Sequence, residues 1–141
     1  MKTPEKKNLY RFMDESPRLG EAVYIHPTAV VSGSVELGDD VSVWPMTVIR
    51  GDVNFIRVGA RSNIQDGCIL HVTHESAWQP QGQPLVIGED VTVAPGASLH
   101  AVTGGDRGMI GMGAIVRDGA VSEDDARVAG GAVVPPGKIV P

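Results

Sequence analysis

Two of the four histidines in this 141-residue chain stand where they can act together. His71 and His100 each follow a large aliphatic residue, Leu70 and Leu99, by one place. Leu99 lies 29 places after Leu70, and the polar stretch 76–86 accounts for 11 of those places, leaving a spacing of 18. If 18 residues make one turn of a regular coil, both imidazoles project from the same point on successive turns. Two imidazoles one strand spacing apart can share a metal ion, with Zn–N bonds near ~2.0–2.1 Å. Arg50 follows Ile49 in the same way and falls one turn below His71 in that column.

What makes 18 residues a turn is a six-residue repeat used three times. Aliphatic residues recur at Ile25, Val31, Leu37, Val43 and Ile49, then, after three extra residues, at Val58, Ile64 and Leu70. Beyond the stretch 76–86 the series runs Ile87, Val93 and Leu99, and one residue short of register it continues through Ile110, Val116, Val128 and Val134. Four places after most of these stands a smaller residue, such as Ala29, Val35, Val41, Thr47, Val53, Cys68, Ala97 or Ala114. Gly, Asp, Asn and Pro crowd the places between, where turns need them. Each unit is one short strand and one corner, and three close a triangular coil. Strands of successive coils then pair in parallel about 4.8 Å apart. No coil buries its apolar edge alone, so stability comes from stacking. An antiparallel sandwich would instead need sustained period-2 alternation, which is absent.

Composition agrees and bounds the function. Aromatic residues make up 4% of the chain, against 18 Gly and 10 Pro, as a turn-rich β architecture of small aliphatics requires. The net charge of −5 and pI near 5.2 give no footprint for nucleic acid or an anionic membrane. Cys68 is the single cysteine, so no disulfide framework exists and a reducing compartment is expected. Lys2, Lys6 and Lys7 are followed by no apolar run of the signal-peptide kind, and no stretch suits a membrane span. A cytoplasmic protein is expected, with residues 1–24 as an N-terminal arm and 25–138 as the prism. A surface loop at 76–86 carries Trp78, Pro80 and Pro84.

From Val43 to Glu75 the chain reads VWPMTVIRGDVNFIRVGARSNIQDGCILHVTHE, which closely resembles the gamma-class carbonic anhydrases. The repeat segment from about Ile25 to Pro136 is similar to that family throughout. The resemblance rests above all on Arg50-Gly51-Asp52, Gln65-Asp66 and His71 at these spacings. It implies a left-handed parallel β-helix and a homotrimer with zinc at each subunit interface, two ligands from one chain and one from its neighbour. Iron or cobalt are the alternative metals, and carbon dioxide and bicarbonate the implied substrate pair. His71 and His100 match the two ligands of one chain. Arg50 and Asp52 match a pair that ties subunits together, and Gln65 and Asp66 match catalytic residues close to the reacting water. The family places the third ligand, a histidine, five residues before position 100. Here that place holds Pro95, whose side chain has no donor atom. Many relatives also continue into a C-terminal helix, which this sequence, ending at Pro141, is expected to lack.

Other residues receive structural readings. His74 falls four places after Leu70, so a partly buried histidine is expected, and Cys68 occupies an inward place as an inert thiol. His26, Glu75 and Arg117 are read as surface residues. Gly104 and Ser122 stand where the series calls for aliphatics, with Gly108 and Ala126 as their inward partners. Restoring bulk there with Gly104→Ile and Ser122→Val should then stabilise the fold. Three functions stay open: a zinc-dependent carbonic anhydrase, a catalytically silent trimeric scaffold or binding homologue, and a hexapeptide-class thioesterase or acyltransferase acting on coenzyme A esters.

Overall fold

A computed structural model describes residues 8–141 of the chain. Among these residues every strand ladder is parallel and no helix occurs, so none is long and apolar enough to cross a membrane. The chain winds as a left-handed parallel β-helix. Most strands are only two or three residues long, because Gly, Pro and Asp return at each corner before a third inward place can follow.

Three internal columns make the core. One stacks Ile25, Val43, Ile64, Val93, Ile110 and Val128. A second stacks Val31, Ile49, Leu70, Leu99, Val116 and Val134. The third runs Leu19, Leu37, Val58, Ile87, Gly104, Ser122 and Val140. Apart from the end residues Leu19 and Val140, all are buried, and each full aliphatic side chain contributes roughly 1.5–3 kcal/mol of transfer free energy. Cys68 lies in this interior with its thiol 3.1 Å from the Ala94 carbonyl oxygen, and burial pushes its pKa up, as suits an inert thiol.

One corner column is built from charged residues in the left-handed region: Asp40, Arg61, Asp90, Arg107 and Asp125. That conformation is costly for a long side chain. Here backbone hydrogen bonds between coils hold it, as from Arg61 N to Asp39 O and from Arg107 N to Glu89 O. The Arg61 guanidinium grips both oxygens of Asp90, and Arg107 does the same to Asp125. These forks hold both carboxyls below the usual range.

The structure departs from the sequence expectations in four places. The coil begins ahead of Ile25, since Leu9–Tyr10 and Arg18–Leu19 both pair with the strand Val30–Leu37. Residues 1–7 of the expected arm lie outside the described residues. The three extra residues fall between Gly51 and Ile56, opposite Gly33 and Val35, so Ile56 takes the inward place and Val53 is exposed. The excursion after His71 is pinched off by paired backbone bonds between Thr73 and Gln83, and Leu85 is already inside the prism as the first residue of the strand Leu85–Ile87. Ile139–Val140 adds a final strand on Val121–Ser122.

Gly104 and Ser122 thin the third column unequally. Ser122 is buried with its hydroxyl unpaired among the described residues. A Cβ at Gly104, by contrast, would stand 3.2 Å from Ile87 Cδ1, because Ile87 already leans into that space. Ser122→Val therefore removes an unsatisfied polar group and adds packing, for a gain of about 1–3 kcal/mol. Gly104→Ile overfills the layer and costs about as much. Thermal unfolding of the two single variants should show the first melting higher and the second lower than the parent.

Candidate metal centre

His71 ends the strand Ile69–His71 and His100 ends Ser98–His100. The two strands pair residue for residue, Leu70 on Leu99 and His71 on His100. Both leucines point inward, so alternation turns both imidazoles outward on adjacent coils. His71 Nδ1 lies 3.1 Å from His100 Nε2, with the rings edge to face and their centroids 5.1 Å apart.

A carboxylate holds the far nitrogen of each ring. Asp52 Oδ1 is 2.8 Å from His71 Nε2, and Asp118 Oδ2 is 3.0 Å from His100 Nδ1. Asp52 also accepts from the Arg50 guanidinium and from the Val53 amide. Asp118 accepts from the Thr73 hydroxyl. A single polar chain thus runs Arg50, Asp52, His71, His100, Asp118, Thr73. Burial pushes the Asp52 carboxyl up, but bonds from His71, Val53 and Arg50 outweigh it and hold it low. Asp118 is likewise held low, its burial outweighed by Thr73, a backbone amide and His100. The lower half is the more enclosed: His71 and Asp52 side chains are 19% and 13% exposed, against 43% and 37% for His100 and Asp118.

The bonding fixes the tautomers. A carboxylate accepts, so the protons of the neutral rings sit on His71 Nε2 and His100 Nδ1. The nitrogens that face each other then both carry lone pairs, 3.1 Å apart. Such a pair calls for a shared proton or a shared cation. Two Zn–N bonds of ~2.0–2.1 Å at a tetrahedral angle separate their nitrogens by about 3.3 Å. The pair therefore fits zinc as two ligands. Among the described residues no third His, Cys, Asp or Glu converges with them.

The remaining sequence candidates lie apart from this chain of contacts. Gln65 donates its side-chain amide to Asn63, and Asp66 is exposed at a corner. Pro95 stands one coil above Asp66: the Gly96 amide bonds the Asp66 carbonyl, and the Gly113 amide bonds that of Pro95. Arg50 and Asp52 pair with each other within the chain. His74 is exposed rather than partly buried, because the excursion begins there and Val72 fills the interior. Sequence reading passed over Asp118 and Thr73. Counting pointed past Asp118, because Val116 stacks on Leu99 and the residue in register above His100 is Arg117, one place before it.

The chain is similar to several known proteins. The family described as bacterial transferase hexapeptide (six repeats) matches residues 16–51. Protein YrdA of Escherichia coli is 52% identical over 107 residues, 76% of this chain and 58% of that protein. Gamma carbonic anhydrase 2, mitochondrial, of Arabidopsis thaliana is 40% identical over 128 residues, 91% of this chain and 46% of that protein. A crystal structure of a hexapeptide transferase family protein from Anaplasma phagocytophilum matches with a TM-score of 0.84 at 37% identity, covering 94% of this chain and 74% of that one. The chain spans about half the length of the curated relatives it matches.

The geometry predicts that His71→Ala and His100→Ala each weaken binding of cobalt(II) at least tenfold, while His74→Ala leaves it unchanged. Equilibrium dialysis of the three variants checks this, and an equal loss in His74→Ala would move the site into the excursion.

Proposed function

The chain belongs to the gamma carbonic anhydrase-like family of hexapeptide-repeat proteins, and on that premise we propose that it is a carbonic anhydrase-like metal protein with an incomplete ligand set. The observation that carries this reading is the pair of facing nitrogens, His71 Nδ1 and His100 Nε2, each ring backed by a carboxylate. A bound zinc ion would supply Lewis-acid activation of water for attack on carbon dioxide, giving bicarbonate. Asp52 and Asp118 fix the rings and raise the basicity of the ligating nitrogens. Catalytic zinc ordinarily takes three protein ligands. Pro95 stands where the third would come from a neighbouring subunit, so zinc is held weakly and hydration is slow.

The assembly in this reading is a homotrimer. Ile69 and Ile115, on the sheet that carries the two histidines, and Met46 and Met112, at the adjoining corner, are exposed large apolar residues that a second copy would cover. Gln65 and Asp66, on the Pro95 side of that corner, would then approach the histidines of the neighbour and act on the water there. The buried single thiol accords with a cytoplasmic location.

Two other readings have support of their own. Pro95, with no side-chain donor at the third ligand's place, favours a catalytically silent trimer that serves as a scaffold or binding protein. The likeness to a hexapeptide transferase family protein favours acyl transfer from a coenzyme A ester, with His100, backed by Asp118, as a general base that needs no metal.

The Pro95→His change tests the proposal. The corner tolerates other residues, since Asp66 and Met112 occupy the same place in neighbouring coils, each followed by a left-handed glycine. Metal analysis and stopped-flow carbon dioxide hydration should find substoichiometric zinc and slow turnover in the parent. The variant, measured as a trimer by light scattering, should retain zinc at one ion per chain and turn over at least a hundredfold faster. Stoichiometric zinc with full activity in the parent would refute the reading, and acetyl-coenzyme A cleavage by the metal-free protein would favour acyl transfer.

A further inference from the structure

We infer that Asp118, steadied by the Thr73 hydroxyl, is a positioning residue that keeps Nε2 of His100 facing His71, holds the ring proton on Nδ1, and hence decides how well the pair holds a cation. The inference rests on the metal reading above for its consequence, though its geometric part stands alone.

The two imidazoles are not equally constrained. His71 is largely enclosed, and its carboxylate partner Asp52 is itself fixed by Arg50 and by the Val53 amide. His100 is nearly half exposed and belongs to the open end of the polar chain. A half-turn of its ring would exchange Nε2 for a carbon on the side facing His71, which abolishes the paired lone pairs. The Asp118 carboxylate, 3.0 Å from Nδ1, opposes that turn and holds the proton on Nδ1.

Asp118 sits at the corner after the strand Ile115–Val116, where its own side chain would be free to swing. Thr73 prevents this. Its amide and carbonyl are both bonded to Gln83, and its carbonyl also accepts from the Asn54 side-chain amide. With its backbone tied at the neck of the excursion, Thr73 aims its hydroxyl at the Asp118 carboxylate. The same hydroxyl is 3.5 Å from His100 Nδ1, so the three groups form one compact cluster. The excursion therefore has a structural consequence at the metal edge: it anchors the residue that anchors the ligand.

Asp118→Ala is the discriminating change because it removes the carboxylate acceptor from Nδ1, whereas Asp118→Asn keeps an amide oxygen able to accept there. Without that acceptor the proton moves to Nε2, where it bonds the lone pair of His71 Nδ1. Nitrogen-15 NMR of the metal-free protein, at a pH where both rings are neutral, reads the tautomer directly. The parent should show His100 protonated on Nδ1. Asp118→Ala should show Nε2 protonation, with an unchanged thermal melt establishing that the variant is folded. Cobalt(II) titration in the Pro95→His background should then show affinity lowered about 10–100-fold by Asp118→Ala. Thr73→Val should lower it severalfold, and Thr73→Ser should restore it. An Nε2-protonated His100 in the parent, or the same tautomer in parent and Asp118→Ala, overturns the inference. If the tautomer shifts as expected while neither parent nor Pro95→His binds cobalt(II), the positioning role stands and the metal reading falls.

Discussion

The aliphatic column through Ile49, Leu70, Leu99 and Val116 is the constraint on which the rest of the molecule depends. Each of these side chains is buried on the one below it. A slip of one residue would turn the column outward and carry His71 and His100 into the interior, because side chains alternate along a strand. Apolar burial thus fixes, at the scale of the whole prism, a register that the two imidazoles need to within a fraction of an ångström. Stacking of coils supplies it without any contact between the rings themselves.

Regular coils could produce the histidine pair but not its surroundings, which come from two interruptions of the period. The extra residues after Gly51 bow outward while Ile56 takes up the core position. Asp52 lies at the start of that bow and reaches His71. The excursion between Thr73 and Gln83 serves the other ring, since it fixes the backbone of Thr73 and so the Asp118 carboxylate. Bulges and excursions are where repeat folds escape the sameness of their units and aim particular side chains.

The polar chain also has a direction. His71 and Asp52 are enclosed and multiply bonded, with Arg50 half exposed beyond them, while His100 and Asp118 are more open to water. A hydrogen bond in the enclosed half is worth more, because water competes less for its partners. The exposed half depends on each single contact. In the proposed trimer the third ligand would belong to neither half, because a second subunit would have to present the corner where Pro95 stands. Ligands divided between subunits make metal binding and assembly interdependent.

Much of this could be read in the residues alone. The period of six gave the triangular prism, the inward columns, the buried Cys68 and the placing of His71 against His100, because stacking repeats the same environment every coil. Pro95 could be recognised as lacking a donor atom, since that depends on composition and not on conformation. Periodicity failed wherever the chain leaves it. Val53 and His74 sat at inward places by counting, yet the bow and the excursion expose both, and Ile56 and Val72 fill the core instead. Ser122 and Gly104 looked equivalent, but the lean of Ile87 into one layer and the unpaired hydroxyl in the other make them opposites. Asp118 and Thr73 lie 45 residues apart and meet only through the reach of side chains across a corner. A repeat fixes where each backbone position falls. Which polar atoms then touch depends on side-chain direction and on local breaks in the coil, and those only the tertiary structure decides.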